Sequence, residues 1–347
     1  MKKRQSWGIA FTYVGAVVGA GFSSGQEIWY FFARHQANGL LGVILVGISF
    51  TVLGPILFQL GKVLDIESYH RLFYNFLPAP LPLLFDLIYG FFLLGSVSVM
   101  LAGSGVVFSN LLGFPYFTGV LVAFVFVLVT LYLKVEGIFV VNGLLIPFLL
   151  LTTIITVVNY LSFTGVEQFK TLLIIKPVKP DWLIDALLYV SYNLVIAVAA
   201  MTGIVYREER EDIIRGSSWG GGLLFLLNLI IFMGLITAFH SSPQEEIPMF
   251  YLALKGGKVI CLSYILALYF AMVSTAIANY YAFTRRLISL IKIKYESGLL
   301  ISGLFVLPLV LSGFSTLVEK LYPIFGYLGF YILGYFFILY LREKVFS

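Results

Sequence analysis

Apolar stretches long enough to cross a lipid bilayer follow one another along the whole chain. Of its 347 residues, 60% are hydrophobic and only 11% are charged, and the mean hydropathy is +0.99. A transmembrane helix needs about 20 apolar residues, and no stretch is left over for a soluble domain. The sequence therefore predicts an all-α polytopic membrane protein of about ten transmembrane helices in a single domain, residues 1–347. We place the spans near 7–32, 39–61, 83–111, 117–134, 138–161, 182–205, 217–240, 258–284, 298–315 and 321–341.

The basic residues indicate the orientation of these spans. If the N-terminus is cytoplasmic, 15 of the 22 lysines and arginines fall inside and the other 7 outside, which is the bias of the positive-inside rule. An even number of spans then places the C-terminus inside as well. We expect a multi-pass plasma membrane protein with both termini in the cytoplasm. Because the positive charges are scattered through short loops, they do not indicate a nucleic-acid partner.

The first span contains residues that a lipid-facing helix avoids. Its middle reads Gly15-Ala-Val-Val-Gly-Ala-Gly-Phe-Ser-Ser-Gly-Gln-Glu27. Unpaired backbone groups and charges in hydrocarbon cost several kcal/mol each. Broken helices around a cavity are the usual solution in secondary transporters, so this segment predicts a site for a solute, an ion or both. Its Gly-xxx-Gly spacings are also typical of close helix packing, but packing does not account for the polar residues after Phe22.

Glu27 is the most specific residue of this segment, because an intramembrane carboxylate is a functional hypothesis by default. It could take a proton, pair with a cationic group of a substrate, or form a salt bridge to Arg34 as part of an outer gate. It could also lie near enough to the outer interface to be solvated.

The sixth span carries a polar interruption, Tyr189-Val-Ser-Tyr-Asn193, at about the same depth as the Gly-Ser tract of the first. Interrupted segments at matching positions in two halves of a chain indicate a transporter site. Because the two spans are five apart, we predict an inverted repeat of five plus five helices, with helices 1 and 6 discontinuous. The repeats cover about 7–161 and 182–341.

The eighth span places Ala271, Ser274 and Thr275 on one helix face, at positions i, i+3 and i+4. Hydroxyl and carbonyl oxygens are hard, neutral ligands that suit sodium, and the broken first span could add the carbonyls of Gly15 and Val18. Alternatively, the two hydroxyls bond to carbonyls one turn back. Asn193 and Asn279 either meet a ligand or hold helices together.

Two other segments bear on this site. The third span is lined with small residues, and Ser98 or Ala102 could touch a substrate. Residues 241–257, predicted outside, contain a short helical pattern between prolines and glycines. It could cover an extracellular opening as a lid, or be an ordinary surface loop.

The motifs Gly15-Ala-Val-Val-Gly-Ala-Gly21 and Ala271-x-x-Ser274-Thr275 resemble those of LeuT-fold transporters of the amino acid–polyamine–organocation superfamily. The string Gly-Ala-Gly-Phe-Ser-Ser-Gly-Gln-Glu, ending at Glu27, resembles the YkvI-like bacterial membrane proteins. This resemblance implies a sodium ion as coupling ion, held by backbone oxygens of Gly15, Val18 and Ala271 and side-chain oxygens of Ser274 and Thr275. It also implies a substrate between the two breaks, near Val17, Ala20, Gly21, Phe22, Ser23, Leu188, Tyr189, Ser191, Asn193 and Asn279. We add Glu27 to this set as the intramembrane carboxylate of the first break.

The expected function is sodium-coupled symport of a small organic solute, such as an amino acid or a related zwitterion or amine, by alternating access. Spans one, two, six and seven would rock against spans three, four, eight and nine. Glu27 has no fixed counterpart in the amino-acid symporters of the superfamily. The alternatives are a proton-coupled transporter that uses Glu27, a channel, and a non-transporting membrane sensor or scaffold. No metal-ligand spacing, phosphate loop or nucleophile–base pair indicates an enzyme.

Overall fold

A computed structural model of the chain describes residues 2–63, 74, 79–133, 138–164, 181–205, 208–238 and 246–346. Within these ranges the chain is helical, with short connections and no strand. The first part of the predicted lid segment, residues 241–245, lies outside them. The helices are α1 Lys2–Val17, α2 Ala20–Ser23, α3 Gln26–Phe31, α4 Ala37–Val63, α5 Leu81–Leu112, α6 Tyr116–Tyr132, α7 Ile138–Thr164, α8 Asp181–Val205, α9 Arg210–Thr237, α10 Pro248–Lys255, α11 Lys258–Ile291, α12 Tyr295–Val310 and α13 Phe314–Phe346, and a 3-10 turn spans Ala33–His35.

Ten crossings account for the predicted spans. Seven helices in the described part of the chain, α4, α5, α7, α8, α9, α11 and α13, are long and apolar enough to cross a membrane. The apolar helices α6 and α12 are shorter, with 17 and 16 residues. The consecutive segments α1, α2 and α3 together form the first crossing. This confirms the all-helical fold and the order of the ten spans.

Contacts at the two ends of the bundle show that the first and second crossings, and the sixth and seventh, run in opposite directions. At the end where α1 begins, Ser6 Oγ donates to Asp212 Oδ1 over 2.7 Å, and Lys62 Nζ donates to Glu208 O. At the other end, Arg34 pairs with Asp185, which lies near the start of α8. We call the end at which α1 begins the proximal end, and the end marked by Arg34 and Asp185 the distal end.

The helices pack in two groups. In one group, α1 and α4 pack against α9, and α8 packs against α1 and α4. Gly216 and Gly221 allow the close approach of α9, because a Cβ at these positions would overlap Ile9 and the backbone of Phe50. In the other group, α5 and α11 pack against each other and against α6, and α7 packs against α11. The candidate site lies between the two groups.

The prediction that helix 6 is discontinuous is wrong, because α8 runs without interruption from Asp181 to Val205. Residues 181–202 contain neither glycine nor proline, so nothing in the backbone favours a break. Its polar side chains find partners without one: Asn193 Nδ2 donates to Tyr189 O over 3.0 Å, and Ser191 Oγ donates to Gly326 O over 2.7 Å. Of the two predicted breaks, the one in the first crossing is present.

Candidate functional site

The first crossing is interrupted at two places, and each interruption has a backbone cause. After Val17 the Gly19 N–H donates to Val17 O over 2.9 Å, so the Gly15 carbonyl loses the partner that a continued helix would give it. Helix α2 then adds one turn. At the second interruption Gly25 has φ of 80°, in the left-handed region that favours glycine. Freed backbone oxygens therefore lie in the middle of a membrane crossing.

A cavity of about 250 Å³ lies beside the first interruption. The first crossing, α5, α8, α11 and α13 supply nearly all of its lining, and α7 adds Leu149. The cavity extends toward the proximal end: its lining covers the proximal half of α5 and continues along α8 to Ala200, which is exposed. It is therefore an elongated space between the two groups of helices.

All five residues predicted to hold sodium line this cavity, namely Gly15, Val18, Ala271, Ser274 and Thr275. Ser274 Oγ donates to Ala271 O over 3.0 Å, which is the local bond of the alternative interpretation. That bond uses the hydroxyl hydrogen and leaves oxygen lone pairs available as acceptors. The structure thus places the five residues of the predicted sodium site around one cavity.

The residues predicted to contact substrate divide into two sets. Val17, Glu27, Asn193 and Asn279 line the cavity. Six others do not line it and are buried in the protein: Gly21, Phe22, Ser23, Leu188, Tyr189 and Ser191. Ala20 lies in the short helix α2.

The continuous helix α8 is the reason that part of this set lies away from the cavity. Leu188 and Ser191 face α13, where a Cβ at Gly326 or Gly329 would overlap them. In the third span, the residue at the cavity is Ser96 and not Ser98 or Ala102. Ser96 Oγ accepts a hydrogen bond from Asn279 Nδ2 over 2.8 Å.

The carboxyl group of Glu27 is buried at the cavity, and its side chain is among tyrosines. Tyr192 donates to Glu27 Oε2 over 2.6 Å, and the Tyr322 hydroxyl lies with the carboxyl group against Gly21. Only 4% of Glu27 is exposed. The other oxygen, Oε1, lies against Gly21, where a Cβ would overlap it. Glycine at position 21 is therefore required for the carboxyl group to occupy this place.

Of the alternative roles considered for Glu27, the salt bridge to Arg34 is wrong, because Arg34 Nη2 lies 2.6 Å from Asp185 Oδ2. His35 Nε2 lies 2.6 Å from the same oxygen. Sequence reasoning missed Asp185, although a carboxylate inside an apolar span was an available signal. In the described chain no lysine, arginine or histidine forms an ion pair with Glu27.

Helix α10 covers the second interruption at the distal end. Its Met249 N–H donates to Ser24 O over 3.0 Å, and Tyr264 of α11 donates to Ser23 O over 2.7 Å. The described part of the predicted lid segment therefore lies over the broken crossing, on the side away from the cavity's extension.

Comparisons with known proteins place this geometry among bacterial membrane proteins. No model of a known protein family matches the chain. Over 329 residues it is 30% identical to the uncharacterized membrane protein YkvI of Bacillus subtilis (strain 168), covering 94% of this chain and 93% of that protein. It is 26% identical over 324 residues to the uncharacterized protein YyaD of the same organism, covering 92% of each.

Solved structures of a manganese transporter from Eremococcus coleocola have a similar fold. One, in complex with an aromatic bis-isothiourea substituted compound, gives a TM-score of 0.61 at 13% identity, over 94% of this chain and 76% of that one. A mutant of the same transporter gives 0.58 at 14% identity, with the same coverage. At this identity the similarity concerns the fold.

Proposed function

The chain belongs to the family of the Bacillus subtilis membrane protein YkvI, and we propose that it is a secondary transporter that couples sodium entry to uptake of a small organic solute by alternating access. The solute is an amino acid or a related zwitterion or amine. The observation that supports this most is the cavity at the broken first crossing, where five oxygen-bearing positions suited to sodium lie together with Glu27. We place the protein in the plasma membrane with both termini in the cytoplasm.

The chemistry of the five positions favours an alkali cation. Gly15, Val18 and Ala271 offer carbonyl oxygens, and Ser274 and Thr275 offer hydroxyl oxygens. Such neutral oxygens suit a hard monovalent cation, and carbonyls of an unwound segment coordinate sodium in other transporters. Because Gly19 N–H turns back to Val17 O, the Gly15 carbonyl needs no helix bond to be broken before it binds an ion.

The position of the cavity supports alternating access. It lies between the group of α1, α4, α8 and α9 and the group that contains α5 and α11. The distal end is closed by α10 and by the ion pair of Arg34 with Asp185, whereas the cavity extends toward the proximal end. In the proposed orientation the cavity faces the cytoplasm, and a relative rotation of the two groups would expose it to the outside.

Thermal unfolding of the purified protein in sodium and in potassium tests the proposal. A native-state ligand at ten times its dissociation constant adds about 1.4 kcal/mol of stability, so sodium should raise the unfolding midpoint and potassium should not. Ser274→Ala and Thr275→Ala should each abolish the sodium-specific rise.

Matched controls come from α4, where Ser49 Oγ and Thr51 Oγ1 donate to carbonyls one turn back over 2.8 Å, away from the cavity. Ser49→Ala and Thr51→Ala should keep the sodium response. If the response persists in both Ser274→Ala and Thr275→Ala, the sodium site lies elsewhere.

Proton coupling is the second candidate function, and the burial of Glu27 among tyrosine hydroxyls favours it. A buried carboxylate without a cationic partner is costly, and a proton would remove the charge. This candidate predicts uptake that survives replacement of sodium by potassium but is lost in Glu27→Gln.

A further inference from the structure

We infer that the transported solute is a small organic amine with an apolar body, whose positive charge is met by the Glu27 carboxylate, and that amino acids are poor substrates. This inference rests on the proposed function, since it takes the cavity to be the transport site. Three features of the cavity support it: its acidic group without a basic neighbour, the place that the Glu27 carboxyl group occupies, and its aromatic wall.

The cavity is lined by an acidic side chain and, among the described residues, by no basic one. Glu27 is its one carboxylate among the described residues, and no described lysine, arginine or histidine lines it. The hydroxyls of Tyr192 and Tyr322 lie beside the carboxyl group, and they can donate hydrogen bonds but bring no charge. A buried carboxylate is retained at low cost only with a cationic partner, so the cavity is suited to a ligand that brings one positive charge.

The Glu27 carboxyl group lies against the broken first crossing, at the lining of the cavity. Its Oε1 lies so close to the Gly21 backbone that a Cβ there would overlap it. The carboxylate of an amino acid would meet a like charge, whereas an ammonium group would meet an opposite one.

The wall near Glu27 is aromatic. The rings of Tyr192 and Tyr322 lie 5.1 Å apart between centroids, and those of Phe92 and Phe325 lie 4.3 Å apart. All four residues line the cavity. Aromatic faces attract ammonium groups and also pack against apolar bodies. A cavity of about 250 Å³ limits the ligand to a compact molecule.

A divalent metal is a poorer match to these residues. Manganese and similar ions bind through several oxygen or nitrogen ligands, usually with more than one carboxylate or histidine. Within the described ranges no group of three or more His, Cys, Asp or Glu side chains is placed to hold a metal. Although the solved structures of similar fold are of a manganese transporter, this cavity favours an organic cation.

Ligand binding to the purified full chain, measured by the shift in unfolding midpoint in sodium, tests the inference with matched probes. Each amine is compared with the amino acid that carries an added carboxylate: phenethylamine with phenylalanine, tyramine with tyrosine, and isopentylamine with leucine. The acid 3-phenylpropionate and Mn²⁺ complete the panel. We expect at least one amine to bind, at least tenfold more tightly than its amino acid, with no shift from 3-phenylpropionate or Mn²⁺.

The variant Glu27→Gln should weaken amine binding by about 100-fold, because it leaves the ammonium group without its charge partner. Glu296→Gln, an exposed position at the start of α12, should bind as the wild type does. The sodium-induced shift reports that Glu27→Gln is folded. If that variant cannot be purified, the comparison of amine with amino acid on the wild type still decides the matter.

Three results would overturn the inference: no amine binds, an amino acid binds as tightly as its amine, or Mn²⁺ alone gives a shift that requires Glu27. Flux in proteoliposomes separates this inference from the proposed function. Sodium-driven uptake of an amino acid would refute the amine assignment and support transport. Amine binding without flux would refute transport and keep the amine assignment.

Discussion

Replacing Gly21 with alanine tests whether the Glu27 carboxyl group is held against the broken crossing. A Cβ at position 21 would overlap Glu27 Oε1, and it would lie 2.9 Å from Glu27 Cδ and 3.0 Å from the Tyr322 hydroxyl. Both neighbours are buried, so neither can move into open solvent. The carboxyl group has to shift toward the cavity or away from Tyr192.

The expected loss follows from these contacts. Overpacking a buried site costs about 1–3 kcal/mol, and a hydrogen bond to a charged group contributes about 1.5–3 kcal/mol. Because displacing the carboxyl group relieves the overlap while stretching its 2.6 Å bond from Tyr192, the two costs are alternatives and do not add. We expect a loss of about 2 kcal/mol in the free energy of unfolding, and amine binding weaker by about 30-fold.

Gly19 provides the matched control in the same segment. The nearest atom to a Cβ at this position is Met100 Cε at 3.9 Å, which is ordinary contact, so Gly19→Ala should change stability by less than about 0.5 kcal/mol. Chemical unfolding in one detergent, with and without amine, measures both quantities. Because Gly19 lines the cavity, the two variants are compared by stability, and equal losses of stability would refute the placement of the carboxyl group.

Three further substitutions test the surroundings of the site. Asp185→Asn removes the anion of the distal ion pairs and should lower the unfolding midpoint. Asp181→Asn, at an exposed position, should leave it unchanged. Equal midpoints would show that the distal ion pairs do not stabilise the fold. Gly25→Ala would place a side chain at a residue with positive φ and bring it into a clash with α10, whereas Gly113→Ala has positive φ but open space around it. Gly25→Ala should therefore cost more stability, measured by chemical unfolding. The reverse order would contradict the contact with α10. Ser191→Ala removes a buried hydrogen bond and should lower the free energy of unfolding by about 1 kcal/mol. Amine and sodium titrations should still give affinities within twofold of the wild type. A larger loss of affinity would place this side chain in the site.

The number and order of crossings could be predicted because hydrocarbon thickness sets the length of an apolar segment. The break in the first crossing could be predicted because Gly15, Gly19 and Gly25 coincide with serines and a carboxylate. The second predicted break failed for a physical reason. A polar run such as Tyr189 to Asn193 does not distinguish an unwound segment from a continuous helix whose side chains bond to their own carbonyls and to a neighbouring helix.

The site could be predicted only in part. The residues of the first break and the face of Ala271, Ser274 and Thr275 line one cavity, although sodium binding there stays a prediction. The sequence does not identify the aromatic wall of the cavity, because Tyr322 is one of 22 tyrosines and Phe325 is one of 33 phenylalanines in the chain. Only the packing of α13 against α8 and α5 identifies them.

Uptake of the best-binding amine into proteoliposomes, driven by a sodium gradient, tests the central claim most directly. We predict accumulation above the equilibrium level when sodium is high outside, no accumulation when potassium replaces it, and loss of accumulation in Ser274→Ala. Flux that only equilibrates the amine, whatever the sodium gradient, would indicate a channel. Binding without any flux would indicate a sensor or scaffold, and either result would contradict the account.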